Sequence, residues 1–410
     1  AAPAPTSAAG ASGVPVFRAD AEKEDTPGPP VRYFARFEGD VDAKQFAGDA
    51  TRSRLQADVL EILREFSDED RDRVRSPAAP TQGTPGEPPV TPTGDRIVLE
   101  WTGKLVVDAL SRGDERWTED VRSQVTALGT PARLSHPEGD ATCSKLIYEP
   151  DGSEVRLFGS EAAPVVVRSS DQGAMTGQFA SLRRGGDALD IRVTGPGRLT
   201  GALDSKASAT GVPSSPSIPK TESFIEFGKE LTAQGRFVTK TTVDFTGSVS
   251  TRERRVLDRA SFSGRVVMEE GETRIEADSI DLGFAAQPGG RGDRQAVERM
   301  IGRGDVVMIQ GADRITCREI DVTLATDADG RSQPRAATAT GDVAAVQGER
   351  TLHARDKLVV DFDRVEDEPK RNEEARSRTG VKRLQAFGAV TVFDPAQKLD
   401  LSAGQLDCSV

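Results

Sequence analysis

The side chains that most often carry catalysis are scarce in this chain: two histidines and three cysteines among 410 residues. A histidine can move protons near neutral pH or hold a metal, and a cysteine attacks as its thiolate. His136 stands before Pro137 in a turn-like stretch, and His353 lies between Leu352 and Ala354 with its side chain expected to point outward. Neither belongs to a His-Glu-x-x-His zinc helix. A Ser/His/Asp triad needs only one histidine, yet the sequence has no Gly-x-Ser-x-Gly elbow. It has no Walker-type loop, and Gly195-Pro196-Gly197 is not followed by a helix that could receive a phosphate. The run Asp68-Glu69-Asp70-Arg71-Asp72-Arg73 offers carboxylates, but it interleaves them with arginines and leads into proline-rich sequence, so it reads as a solvated loop. Arg-Gly-Asp occurs at 291–293 and 303–305, a three-residue match that this Arg-, Gly- and Asp-rich composition produces by chance. The three cysteines cannot all pair, and Cys143 and Cys317 occupy the same small slot as Ala57 and Ala277 in related strands, which points to core packing. The expectation is a protein that is not an enzyme, with no cofactor and no metal site.

The elements that would position any site follow from a repeat. Gly264, Gly304, Gly341 and Gly388 each open an alternating apolar run, and eleven residues later come Ile275, Ile315, Leu352 and Leu399. Around the first two the match is close: Ser263-Gly264-Arg265-Val266-Val267-Met268 against Arg303-Gly304-Asp305-Val306-Val307-Met308. A unit recurring about every forty residues is the mark of a stacked architecture. The second run of each unit places Ile275, Ala277, Ile280 and Leu282 at offsets that Ile315, Cys317, Ile320 and Val322 repeat, as do Leu55–Ile62 and Ala141–Tyr148 upstream. Period-two alternation means a strand with one buried face. The change of parity between the second and third positions demands a bulge or corner. The fold is therefore expected to be all-β.

Apolar residues make up only 36% of the chain, against 40 glycines and 24 prolines, which suits an elongated sheet with one wet face. The net charge of −12 argues against a nucleic-acid partner. No run of about 18 apolar residues is present to form a membrane-spanning helix. Residues 1–30 are expected to be a disordered linker; the start at Ala1 suggests either a mature chain lacking its signal peptide or anchor, or an arbitrary boundary. Two β-repeat domains are expected, over 31–203 and 221–410. Between them 204–220 is a Ser/Pro/Gly linker or a long loop in a continuous sheet. Asp151-Gly152 predicts a hairpin turn, Arg294–Met300 a short helical turn, and Arg364–Gly380 a charged surface loop.

The units resemble the OstA-like domain of the periplasmic lipopolysaccharide-transport family of Gram-negative bacteria. The residues carrying the resemblance are Phe262–Met268 with Arg274–Asp278, the matching Gly304, Gly341 and Gly388 units, and Glu138–Glu149 with the Glu154–Gly159 strand in the first half. The resemblance implies an elongated antiparallel β-jellyroll, a folded-over "β-taco", in two OstA-like halves. It implies a periplasmic lipid carrier whose apolar groove holds the acyl chains of lipopolysaccharide. Its partners would be other transport proteins, or copies of itself, through edge strands. The groove candidates are Val266, Met268, Ile275, Ala277, Ile280, Leu282, Val306, Met308, Ile315, Ile320, Val322, Val343, Leu352, Val360, Val390, Val392 and Leu399. The same residues would equally fill a closed core in a structural or adhesive β-repeat protein of the cell envelope. The sequence leaves both readings open. The last residues, Leu406–Val410, fall inside a unit with no capping segment, which suits either an edge that pairs with a neighbour or a truncated chain.

Overall fold

The computed structural model describes residues 31–47, 50–66, 96–110, 114–116, 123–137, 139–150, 153–169, 173–201, 223–243, 249–286, 295–326, 332–366 and 377–409. They form 24 strands joined into one sheet in which every pairing is antiparallel. The architecture is all-β, and among the described residues there is no helix.

The sheet begins with the hairpin β1 (Val31–Ala47) and β2 (Ala50–Phe66). The chain then crosses to the free side of β1, where β3 (Arg96–Glu100) and β4 (Leu105–Leu110) pair along it end to end. It returns to β2 with β5 (Ser123–His136), followed by β6 (Gly139–Glu149). From here each pass is split in two. β7 (Glu154–Phe158) and β8 (Val165–Ser169) share β6, and β9 (Gly173–Gly177) and β10 (Phe179–Gly185) follow on β8 and β7. Next come β11 (Ala188–Thr194) and β12 (Gly197–Thr200), then β13 (Phe224–Phe227) and β14 (Glu230–Val243), which both rest on the long β15 (Val249–Glu270). Unbroken strands resume with β16 (Thr273–Ala286), β17 (Gln295–Gln310) and β18 (Asp313–Thr326). The last passes are β19 (Ser332–Thr340) with β20 (Val343–Gln347), β21 (Arg350–Ala354) with β22 (Lys357–Glu366), then β23 (Ser377–Asp394) and β24 (Leu399–Ser409).

Between β6 and β15 the two ends of each pass are separate strands, and the pairings close into a circuit of ten. Hydrogen bonds nevertheless continue through the break, from Gly159 N to Gln178 O, Gln178 N to Thr194 O and Gly195 N to Lys229 O. The circuit is thus one sheet bent along a corner that runs the length of the molecule, with a wall on either side. β11 pairs with β14 and β12 with β13, so the sheet continues past 204–220, a segment that lies outside the described residues, as do residues 1–30.

Two expectations are corrected. Arg294–Met300 is no helical turn: from Gln295 it is strand, opposite β16. A register shift between Gly283 and Phe284 bulges Glu298 out, so Val297 and Met300, three residues apart, both pack on the core. That spacing imitates a helix in the sequence. The expected loop Arg364–Gly380 is strand at both ends, with Arg364 opposite Thr379 and Glu366 opposite Ser377; its middle lies outside the described residues. The Asp151-Gly152 turn is also outside them, but the strands it joins pair as a hairpin, Glu149 opposite Glu154.

Candidate functional site

The corner explains the repeated glycines. Gly264-Arg265, Gly304-Asp305, Gly341-Asp342 and Gly388-Ala389 each hold two consecutive residues at positive φ, and Gly39-Asp40 in β1 does the same. In β15, β17 and β23 the pair stands opposite a single partner residue, a bulge that swaps the buried face and bends the sheet. The second position is aspartate in three of the five, one of the few residue types that tolerates the left-handed region. Glycine is needed at Gly304 for a further reason. A methyl group there would collide with the Asp278 carboxylate on the neighbouring strand, and the same holds for Gly388 against Asp356.

On each side of the corner the inward residues are small or β-branched. Val41 faces Ala57, Ala132 faces Cys143, Val266 faces Ala277, Val306 faces Cys317 and Val343 faces Ala354. All ten are buried. This recurring slot is where the cysteines belong, and burial pushes the thiols of both Cys143 and Cys317 up to about 11. They remain protonated at neutral pH and serve as packing atoms, not nucleophiles. His353 is exposed, in line with its outward position.

The candidate residues separate by depth. Val266, Ile280 and Val390 are fully covered (0% exposed), and Ile275, Leu282, Val306, Ile320, Val322, Val343, Ala277 and Met268 are also buried. One alternation further from the corner, Met308, Ile315, Leu352, Val360 and Val392 are only half-buried, though they pack against the same core. The opposite wall grades likewise, from buried Met300, Ile320 and Val322 to half-buried Val297 and Leu324. From β17 onward the apolar interior is thus covered at the corner and half-open toward its margins, an apolar wedge, whereas in β15 and β16 Met268 and Ile275, at the same distance from the corner, remain buried. Full burial of an Ile or Leu contributes about 1.5–3 kcal/mol, so the corner carries the fold's cohesion and the margins carry less.

Leu399 does not take the place its spacing suggested. It is 39% exposed at the start of β24, and Leu401, opposite Val392, fills the position that Ile275 holds opposite Met268. The cause is the turn. Gly271-Glu272 and Gly311-Ala312 connect their strands with two residues, whereas Pro395–Lys398 uses four, held by the Asp394 carboxylate accepting from the backbone N–H groups of Ala396 and Gln397. Two lengthening residues keep parity but displace the unit by one alternation. Other members of the wedge escaped the repeat arithmetic, among them Phe262, Met300, Val165, Val193 and Ile225. Phe262 and Met300 precede their unit's glycine, Val193 alternates with Leu189 and Ile191 outside the four glycine units, and Val165 and Ile225 lie on split strands too short to show a period.

Ion pairs cross the outer face from strand to strand. Arg299 pairs with Asp321 at 2.6 Å, Arg383 with Asp407 at 2.6 Å, Arg54 with Asp42 at 2.7 Å, and Arg303 with both Asp281 and Glu319. That engagement also accounts for the Arg-Gly-Asp at 303–305, whose arginine is tied to neighbouring strands; the match at 291–293 lies outside the described residues. A cleft of about 310 Å³ lies at the margin where β8, β9 and β12 end, edged by Arg168, Ser169, Thr200 and Ser223. Among the described residues no group of three or more His, Cys, Asp and Glu side chains could hold a metal ion.

Compared with known proteins, the chain matches no family model, no curated protein and no solved structure.

Proposed function

We propose that this protein is a non-enzymatic periplasmic lipid carrier of the OstA-like type, which seats the acyl chains of lipopolysaccharide or a related amphiphile between the parted margins of its wedge. The observation that carries this reading is the graded apolar stripe. It runs from a covered corner to half-buried Met308, Ile315, Leu352 and Val392, and it continues to both terminal strands of the sheet. At one end Ile97, on β3, is 70% exposed and Val107, on β4, is also open; at the other lies Leu399. A closed core would be expected to cover its ends with polar residues. Margins of half-covered aliphatic side chains suit flexible hydrocarbon, whose burial contributes about 25 cal/mol per Å² before ordering costs. Among the described residues the edges β3/β4 and β24 each pair on one side only, which suits assembly with transport partners or further copies.

The complete cover of Val266, Ile280 and Val390 favours the second reading, a structural or adhesive repeat protein whose interior is sealed. Native mass spectrometry of the protein purified from a Gram-negative host separates the two. Lipid A or phospholipid retained at a fixed ratio is the expected result. A lipid-free chain that also takes up no added lipopolysaccharide would give the structural reading its place.

A further inference from the structure

A second line of bends runs along one wall, parallel to the corner. Paired strands slip register again at Gln234/Gly235, Gly283/Phe284, Thr323/Leu324 and Asp361/Phe362, which leaves Asp258, Glu298, Arg335 and Lys382 as bulged residues. Each stands six residues before the corner glycine of its own strand or unit, Gly264, Gly304, Gly341 or Gly388. The ladders between one repeat and the next stop at the same level: β15 and β16 at Arg259↔Gly283, β17 and β18 at Arg299↔Thr323, β19 and β22 at Ala336↔Asp361. Past the line the strands stay laddered two by two. β16 remains with β17 from Phe284↔Val297 to Ala286↔Gln295, and β18 with β19 from Leu324↔Pro334 to Thr326↔Ser332. β22 remains with β23 from Phe362↔Val381 to Glu366↔Ser377, and β14 with β15 from Gly235↔Leu257 to Val243↔Val249.

One continuous wall therefore divides, at a line of bulges, into a row of hairpins. A bulge interrupts the ladder and adds bend and twist locally, and a two-stranded hairpin has little stability of its own. What seats the hairpins is their bases, where Leu257, Phe284, Val297 and Leu324 pack half-buried on the core; in the last of them Val381 is 41% exposed. Few buried contacts and a ladder no longer shared with the neighbouring repeat are the features of a segment that opens at low cost.

We propose that this second line is a hinge, about which the hairpins swing one at a time to admit an amphiphile into the wedge from its side. The proposal rests on the lipid-carrier reading and adds the route by which that carrier is loaded. The hairpin bases pack on the same core as Met308, Ile315, Leu352 and Val392 of the other wall. A hairpin that swings outward widens the wedge across its own two strands and leaves the corner and the other hairpins in place.

The test compares two spin-label distances, measured by double electron–electron resonance in the full chain carrying Cys408→Ser; the thiols of Cys143 and Cys317 are buried and label slowly. Both pairs share Arg314→Cys on the other wall. The second label is Thr323→Cys, just before the line, or Ala325→Cys, just past it, and all three positions are exposed. A hinge between them makes the 314–325 distribution at least about twice as broad as the 314–323 one. Deleting Arg335 removes the bulge yet keeps Ala336 opposite Thr323 and Pro334 opposite Leu324, so it should narrow 314–325 to the width of 314–323. Equal widths without the deletion, or a broad 314–325 distribution that survives it, overturn the hinge. Uptake of a fluorescent fatty acid is followed alongside. With Glu298 and Arg335 both deleted it should be at least about threefold slower, with the same amount bound at saturation. An unchanged rate in a variant whose distances have narrowed overturns the side route. Failure of uptake in every form counts against the carrier reading, while the distances still judge the hinge.

Discussion

The corner and the margins of the wedge are built from similar side chains yet hold different places in the fold. At the corner Val306 and Cys317 are covered from every side; two residues out along the same strands, Met308 and Ile315 pair with each other and remain half-buried. Composition does not separate them, since both sites are apolar and sulfur-bearing or β-branched. Along β17 and β18 burial falls with distance from the bend, whereas Met268 and Ile275, at the same distance one repeat earlier, stay buried. The bend covers its own residues in every repeat, and further out the facing wall decides. The corner is where the sequence must be obeyed, and the margin is where a ligand can be accommodated.

The largest effect should come from placing a charge at the corner. Val306→Asp buries a carboxylate with no partner, which costs several kcal/mol against a total stability of about 5–15 kcal/mol for a typical fold. The variant is expected to lose its cooperative melting transition by circular dichroism. A soluble variant melting near wild type would mean that the corner is not closed. Next in size is Gly304→Ala, which meets both a positive φ and the Asp278 carboxylate; strain of this kind costs about 1–3 kcal/mol. Combining it with Asp278→Ala should recover the part due to the carboxylate and leave the Cβ contact and the part due to φ. If the double variant is no better than the single one, the carboxylate contributes nothing to the loss.

A smaller stability change and a larger functional one are expected at the margin. Ile315→Asp leaves its charge near solvent, so the melting temperature should fall by a few degrees, corresponding to about 1 kcal/mol. Lipid retention in native mass spectra should be lost all the same. Were Ile315→Asp to unfold as completely as Val306→Asp, the gradient between corner and margin would disappear and with it the main support for a lipid cleft.

Much of this was legible in the sequence, because a β-sheet writes its burial into a period of two. The glycines marked the corner, the parity change in Ile275–Leu282 marked the bulge, and Ala277 and Cys317 marked the narrow slot beside it. What misled were positions where local geometry mimics another period. The bulge at Glu298 set Val297 and Met300 at helical spacing, and the four-residue turn at Pro395–Lys398 pushed Leu399 out of the place that Leu401 holds. Depth was not legible at all. Ile275 and Ile315 hold the same position in their repeats, yet one is buried and the other half-open, since exposure depends on how the facing wall closes rather than on either strand.

The smallest expected effect is a pH response of the sheet's last strand. Asp407 is held down at about 2, first by the Arg383 guanidinium and then by the Gln385 amide, a contact that ties β24 to β23. Asp281, on the interior strand β16, is also lowered: burial pushes its carboxyl up, but the Ser261 hydroxyl and the Arg303 guanidinium together outweigh that. A carboxyl depressed in the folded state stabilises the fold above its unfolded value of about 3.9 and loses that contribution as pH falls toward the folded value. Acidification through the window from about 4 to about 2 should therefore loosen both contacts. Among the described residues β24 has a partner on one side only, whereas β16 is hydrogen-bonded on both, so amide exchange should rise in 399–409 while 273–286 stays protected. Asp407→Asn should weaken β24 at neutral pH and flatten its acid response. Exchange in β24 that does not change across the window, or an acid step that survives in Asp407→Asn, would show that side-chain pairing on the outer face contributes nothing to holding this edge, and that backbone pairing with β23 suffices.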